Sequence, residues 1–165
     1  LVVFIMFDFL EVSEFLLFLL PGAVESAGIV ACSLALVRVK LRWTIIIPAA
    51  STLATIIYLI RHMPVTFGLH TIAGFLLLVM FLTKGTRVPP SSSFMASFIS
   101  YAILASLERL MIELSVMVLK TDINNIMSDY LLWTVLSLPQ GVLMVAIALL
   151  IAKIRTPLEG MWRIR

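Results

Sequence analysis

Apolar residues along this chain come in runs about as long as a bilayer is thick, separated by short polar stretches. A helix rising ~1.5 Å per residue needs roughly 17 to 25 apolar residues to cross ~30 Å of hydrocarbon. Runs of that kind predict helices near Phe15 to Val37, Trp43 to Ile60, Thr66 to Thr83, Phe94 to Leu119 and Leu131 to Ala152. Pro21 and Gly22 interrupt the first run, so a six-helix alternative makes Leu1 to Leu20 one helix and Ala23 to Val37 another. The second of these is short for a bilayer, and five is the central expectation.

Ahead of the first run, Asp8, Glu11 and Glu14 recur every third residue and share about a third of a helix's circumference. That pattern suits residues 1–14 as an interfacial segment, or as part of the extra helix in the six-helix version. A cleaved signal peptide would carry a positive leader, whereas no Lys or Arg precedes Arg38. The chain opens on Leu1 rather than Met, which reads as a fragment, an alternative start codon or a chain beginning at Met6. Between the fourth and fifth runs, Asp122, Asn124, Asn125 and Asp129 alternate with Ile123, Ile126 and Met127, a pattern for a short amphipathic turn.

Composition turns these runs into a class. With 62% hydrophobic and 13% charged residues and a mean hydropathy of +1.15, the chain lies far from soluble averages. The fold class expected is an all-α integral membrane protein, a bundle of five transmembrane helices (six in the alternative) plus short interfacial helices. The single cysteine, Cys32, excludes an internal disulfide and a cysteine metal site.

The cations order the connections. Arg38, Lys40, Arg42, Lys84, Arg87, Lys153, Arg155, Arg163 and Arg165 fall on one side of the proposed bundle. Arg61 and Lys120 fall on the other, and Arg109 falls within the fourth run. Short cytoplasmic loops accumulate Lys and Arg, so the carboxyl terminus is expected in the cytoplasm of a multi-pass cell-membrane protein. Trp43, Trp133 and Tyr130 lie near helix ends, where aromatic anchors belong. The net charge of +3 is thus explained by orientation, and a nucleic-acid partner has no support.

Charge inside an apolar run needs a reason, because each unpaired charge near a helix centre costs roughly 2.5 to 3.5 kcal/mol on an insertion scale. "SLERLMIEL" places Glu108, Arg109 and Glu113 in the fourth run. On a 100° wheel, Ile103, Leu107, Leu110, Leu114 and Val118 form an apolar stripe suited to lipid. Ser97, Tyr101, Ala105, Glu108, Ile112 and Ser115 share a different arc, adjoined by Arg109 and Glu113, which can pair at i and i+4. That arc is expected to face other helices, either as an ion pair that fixes register or as a functional polar site. Glu25 in the first run completes a candidate cluster with Glu108, Arg109 and Glu113, and Arg109 is a candidate partner for it. His70 and Gln140 are outer contributors. Ala27, Gly28, Ala31 and Ala35 supply a small-residue surface for close helix packing.

Catalytic patterns are absent. Cys32 and the two histidines, His62 and His70, fall toward opposite ends of their runs, against a Cys/His peptidase. There is no HExxH pair or Gly-rich phosphate loop, and two histidines are too few for a metal site. No enzyme activity, metal or cofactor is expected. Pro139, Gln140 and Gly141 predict a packing kink in the outer half of the fifth helix.

The order "GIVACSLALVRVKLRW", "YLIRHMPVTFGLHTI", the charged fourth run, "KTDINNIMSDYLLW" and "SLPQGVLMVAIALLIAKIR" resembles the multi-span membrane region in front of some sensor histidine kinases of Gram-positive bacteria. The likeness covers roughly Gly28 to Arg155, and "MPVTFGLHT", Met63 to Thr71, is its most distinctive piece. Ten residues follow Arg155, with neither a phospho-acceptor helix nor an ATPase domain. The resemblance therefore implies an isolated sensor-type module or a truncated kinase of a two-component system. Its expected partners are the lipid bilayer, a kinase or other signalling protein on the cytoplasmic side, and a small ligand of unidentified structure. The competing reading is a solute-binding subunit similar to the substrate-capturing components of vitamin uptake transporters, with the Ala27, Ala31 and Ala35 ladder as a docking surface for a coupling subunit.

Overall fold

The computed structural model describes residues 2–61, 68–120 and 130–163, with side chains described outside 2–18, 61, 119, 130–134 and 136. Within them lie five α-helices and no strand: α1 (Val2–Leu36), α2 (Trp43–Arg61), α3 (Leu69–Gly85), α4 (Pro90–Leu119) and α5 (Tyr130–Ile154). His62, the amphipathic turn at 121–129 and Arg165 lie outside the described residues. So do the side chains of Asp8, Glu11, Glu14, Tyr130 and Trp133.

Helices α2 to α5 start and stop close to the edges of the apolar runs, because hydrocarbon side chains and backbone satisfaction end together there. The first run, expected as one helix from Phe15 to Val37, extends back to Val2 and takes in the stretch expected as an interfacial segment. Its backbone is one helix of 35 residues, ~52 Å long, which carries Pro21 inside it. The Pro–Gly pair does not divide it into two helices. Proline removes one backbone donor, a loss that buried surroundings tolerate, and Pro21 is buried. Pro48 in α2 and Pro139 in α5 are likewise carried inside continuous helices.

Helix α1 occupies the centre. Every position from Gly28 to Ala35 is buried, which on a helix means neighbours on all sides. Those neighbours are α2, α4 and, most extensively, α5, while α3 closes the arc by packing on α2 and α4. Small residues set the distance between α1 and α5. A Cβ on Gly28 would stand 2.8 Å from Cβ and Cγ of Met144, and one on Gly141 would stand 3.0 Å from the Glu25 amide nitrogen. Ala31, Cys32, Leu34, Met144 and Ala148 fill the seam.

One end of the bundle is knitted by hydrogen bonds. The segment after α5 passes beneath both short connections. The Leu158 amide donates to the Arg38 carbonyl at 2.8 Å, Arg87 donates to Met161 at 2.8 Å, and Arg163 donates to Gly85 at 3.0 Å. Two isolated bridges, Val39 with Leu158 and Thr86 with Trp162, mark these crossings. The Trp162 indole donates to the Lys40 carbonyl at 2.8 Å and lies edge-on to Phe81. Arg155 donates to the Leu36 carbonyl at 2.8 Å, satisfying a group that the end of α1 leaves open. Arg38 adopts left-handed backbone (φ 60°) where α1 stops, and its guanidinium reaches the Thr156 carbonyl at 3.1 Å.

Among the described residues three stretches are long and apolar enough to cross a membrane, Leu19–Leu36, Trp43–Ile60 and Ser137–Ile154. Helix α3 is apolar but shorter.

Candidate functional site

The polar residues of α4 divide into an inner row and an outer pair. Ser93, Ser97 and Ser100, spaced at four and three residues, are fully buried on one side of α4, and Leu104 is buried with them. The Ser33 hydroxyl of α1 donates to Ser100 Oγ at 2.8 Å. Beside it, the Tyr101 ring lies edge-on to Phe75, and its hydroxyl would be 2.6 Å from a Cβ placed on Gly74. The glycine makes room for the phenol, and α3 can approach α4 only because of it. The hydroxyls of Ser93, Ser97 and Tyr101 are buried with no hydrogen-bond partner among the described residues.

Arg109 and Glu113 behave differently. Arg109 Nε donates to Glu113 Oε1 at 3.0 Å, as the i and i+4 spacing anticipates, but the side chains are 82% and 60% exposed. The pair therefore projects from the bundle, contrary to the expectation that it turns toward other helices. A wheel drawn from the sequence places it beside the inner arc. The described structure buries Ser97, Ser100 and Leu104, and leaves position 109 outside. Arg109, expected as a candidate partner for Glu25, is paired with Glu113 instead. Nineteen residues, about 28 Å of helix, separate Pro90 from Arg109, so the charges stand almost a bilayer thickness from the start of α4.

The other candidates distribute as follows. Glu25 is half-buried where α1 touches Gly141, and Gln140 is buried next along α5. Glu108 is half-buried on the inner arc, and His70 is half-buried in the first turn of α3. The structure thus brings Glu25 beside Gly141 and Gln140 at the α1–α5 seam, places Tyr101 against α3, and leaves Arg109 and Glu113 pointing outward. Ala31 and Ala35 are buried, Gly28 abuts Met144, and Ala27 packs against the core. The small-residue ladder is filled by the chain's own helices and presents no outward docking surface.

Ser97 and Ser115 were expected on the inward arc and are buried, whereas Ser93 and Ser100 beside them were missed. The signal was present in the spacing of Ser93, Ser97 and Ser100 on α4 and of Ser26 and Ser33 on α1, all buried. Among the described residues, no three His, Cys, Asp or Glu side chains gather as a metal site would require. No family model matches the chain, and no curated protein or solved structure matches it.

Proposed function

We propose that this chain is a multi-pass membrane protein acting as a non-enzymatic sensor or signalling input module, with α5 and the segment after it as the output. The observation that carries this reading is the knitted end. The segment leaving α5 is hydrogen-bonded to the connection between α1 and α2 and to the connection between α3 and α4. Any relative shift of those helix pairs reaches the segment leaving α5 directly. The resemblance to kinase input regions points the same way. The excess of Lys and Arg at this end supports placing it in the cytoplasm.

The sensing step would be a two-state repacking that a ligand or a change in the bilayer favours on one side. Half-buried Glu25 and buried Gln140 are the polar part of the α1–α5 seam that such a change would act on. The transporter reading keeps no specific support, since its proposed docking ladder is occupied internally.

The reading is tested by distance measurements between spin labels on cysteines replacing Ser91 and Glu159, two exposed positions on either side of the knitted end. The protein, in a Cys32→Ser background, is placed in bilayers of differing thickness. Two distance populations whose ratio changes with the bilayer are expected. A single distribution, invariant across all bilayers, would overturn a sensor of membrane state.

A further inference from the structure

At the knitted end a cleft of about 460 Å³ opens between the start of α4 and the segment after α5. Its polar end has the chemistry of an anion site. Arg38 and Arg155 line it beside Ser91 and Ser92, and no carboxylate is among its lining residues. Both guanidiniums are tethered to backbone carbonyls, Arg38 to Thr156 and Arg155 to Leu36, which fixes them while leaving other N–H donors of each fork for an outside acceptor. Helix α4 begins with Pro89 and Pro90, which have no amide hydrogen to give, and no side chain caps it. The amides of its first turn and the positive end of its dipole add to the same polar end.

The rest of the cleft is apolar and does not stop there. Met95 and Ile99 line it, 55% and 39% exposed, and Ile99 also lines a second trough that continues past Ile103 to Leu110. From Ile99 to Leu110 is about 16 Å of helix, close to half of a ~30 Å hydrocarbon core. A free phosphate would use the arginines and ignore this trough. A lipid would use both.

We propose that this cleft binds an anionic glycerophospholipid, with its phosphate at Arg38, Arg155 and the start of α4, and one acyl chain in the trough along α4. The bound lipid would bridge α4 to the segment after α5. The inference rests on the chain lying in a bilayer and is independent of signal transmission.

Native mass spectrometry of the detergent-solubilised protein tests it, using phosphatidylglycerol and phosphatidylcholine with identical acyl chains, and glycerol phosphate as the chainless anion. One phosphatidylglycerol per chain should bind at least tenfold more tightly than phosphatidylcholine, and glycerol phosphate should not compete at comparable concentrations. Arg38→Gln with Arg155→Gln should lower that affinity at least tenfold. Arg42→Gln with Arg163→Gln, which removes equal charge from the same end outside the cleft, should change it less than twofold. Ser92→Asp places a carboxylate at a helix start, where it favours folding but repels a phosphate, and should also weaken binding. Equal losses in both arginine pairs would overturn the site in favour of general charge attraction. Competition by glycerol phosphate would overturn the lipid in favour of a soluble anion. Recovery of the protein from alkali-washed membranes checks the bilayer premise separately.

Discussion

At the scale of single residues, two glycines set how closely helices approach, and they differ in what opposes them. At Gly141 the nearest atoms are the backbone of Glu25 and Val24 Cγ1, so little can move aside. Gly141→Ala is expected to destabilise the bundle by roughly 1 to 3 kcal/mol, the usual cost of overpacking, read as a fall in the thermal midpoint in detergent. At Gly74 the main obstacle is the Tyr101 hydroxyl, which has no hydrogen-bond partner among the described residues, with Ile57 Cδ1 farther off at 3.3 Å. Tyr101→Phe should therefore be neutral or stabilising by about 1 kcal/mol, and Gly74→Ala should be markedly better tolerated in that background than alone. A double-mutant cycle by thermal unfolding measures the coupling, and strict additivity would contradict the assigned contact. Arg109→Leu should cost less than about 1 kcal/mol, since the ion pair is exposed. The small-residue ladder was legible in the sequence because its spacing is a local property of one helix. The outward aim of Arg109 was not, because a wheel gives angles between residues and leaves open where the neighbouring helices stand.

Among elements, α1 carries the architecture and the segment after α5 locks it. The extents of α2 to α5 were readable because charges and prolines bracket the apolar runs: Arg42 before α2, Lys84 at the end of α3, Pro89 and Pro90 at the start of α4, Lys153 at the end of α5. Continuity of α1 through Pro21 was part of the central expectation of one helix from Phe15 to Val37; its extension back to Val2 was not, because the acids spaced through residues 1–14 fit an interfacial segment equally well. The knitted end was also invisible, because its main links join backbone amides to backbone carbonyls and leave no side-chain signature. Arg38, Arg155 and Trp162 add side-chain links, the last with its indole on the Lys40 carbonyl and its ring against Phe81. Trp162→Ala should free the crossing segment while leaving the helices packed. Hydrogen exchange followed by mass spectrometry should show the amides of Leu158, Arg87 and Arg163 exchanging on the order of tenfold faster, with α1 unchanged. Unaltered protection there would mean that the segment is held by its backbone bonds alone.

For the whole molecule, the decisive arrangement is the separation of charge along the bundle axis. Arg38, Lys40, Arg42, Lys84, Arg87, Lys153, Arg155 and Arg163 are exposed at the knitted end, with Glu159 the one carboxylate beside them among the described residues. Arg109 and Glu113 lie toward the opposite end of α4. If the first group sits in the cytoplasm, about 28 Å of helix from Pro90 to Arg109 carries the ion pair close to the outer headgroups, where water can reach it. In that orientation an otherwise apolar helix would tolerate the exposed pair because the charges, central in the sequence of the run, would be peripheral in depth. Single cysteines replacing Arg87, Glu159 and Glu113, in a Cys32→Ser background, test orientation and depth together. With a membrane-impermeant maleimide on intact cells, the position 113 cysteine should be labelled, and those at 87 and 159 only after permeabilisation. The opposite pattern would invert the proposed orientation. A position 113 cysteine that resists labelling from both sides would place the pair within hydrocarbon, where an ion pair so exposed on the isolated chain requires a covering partner.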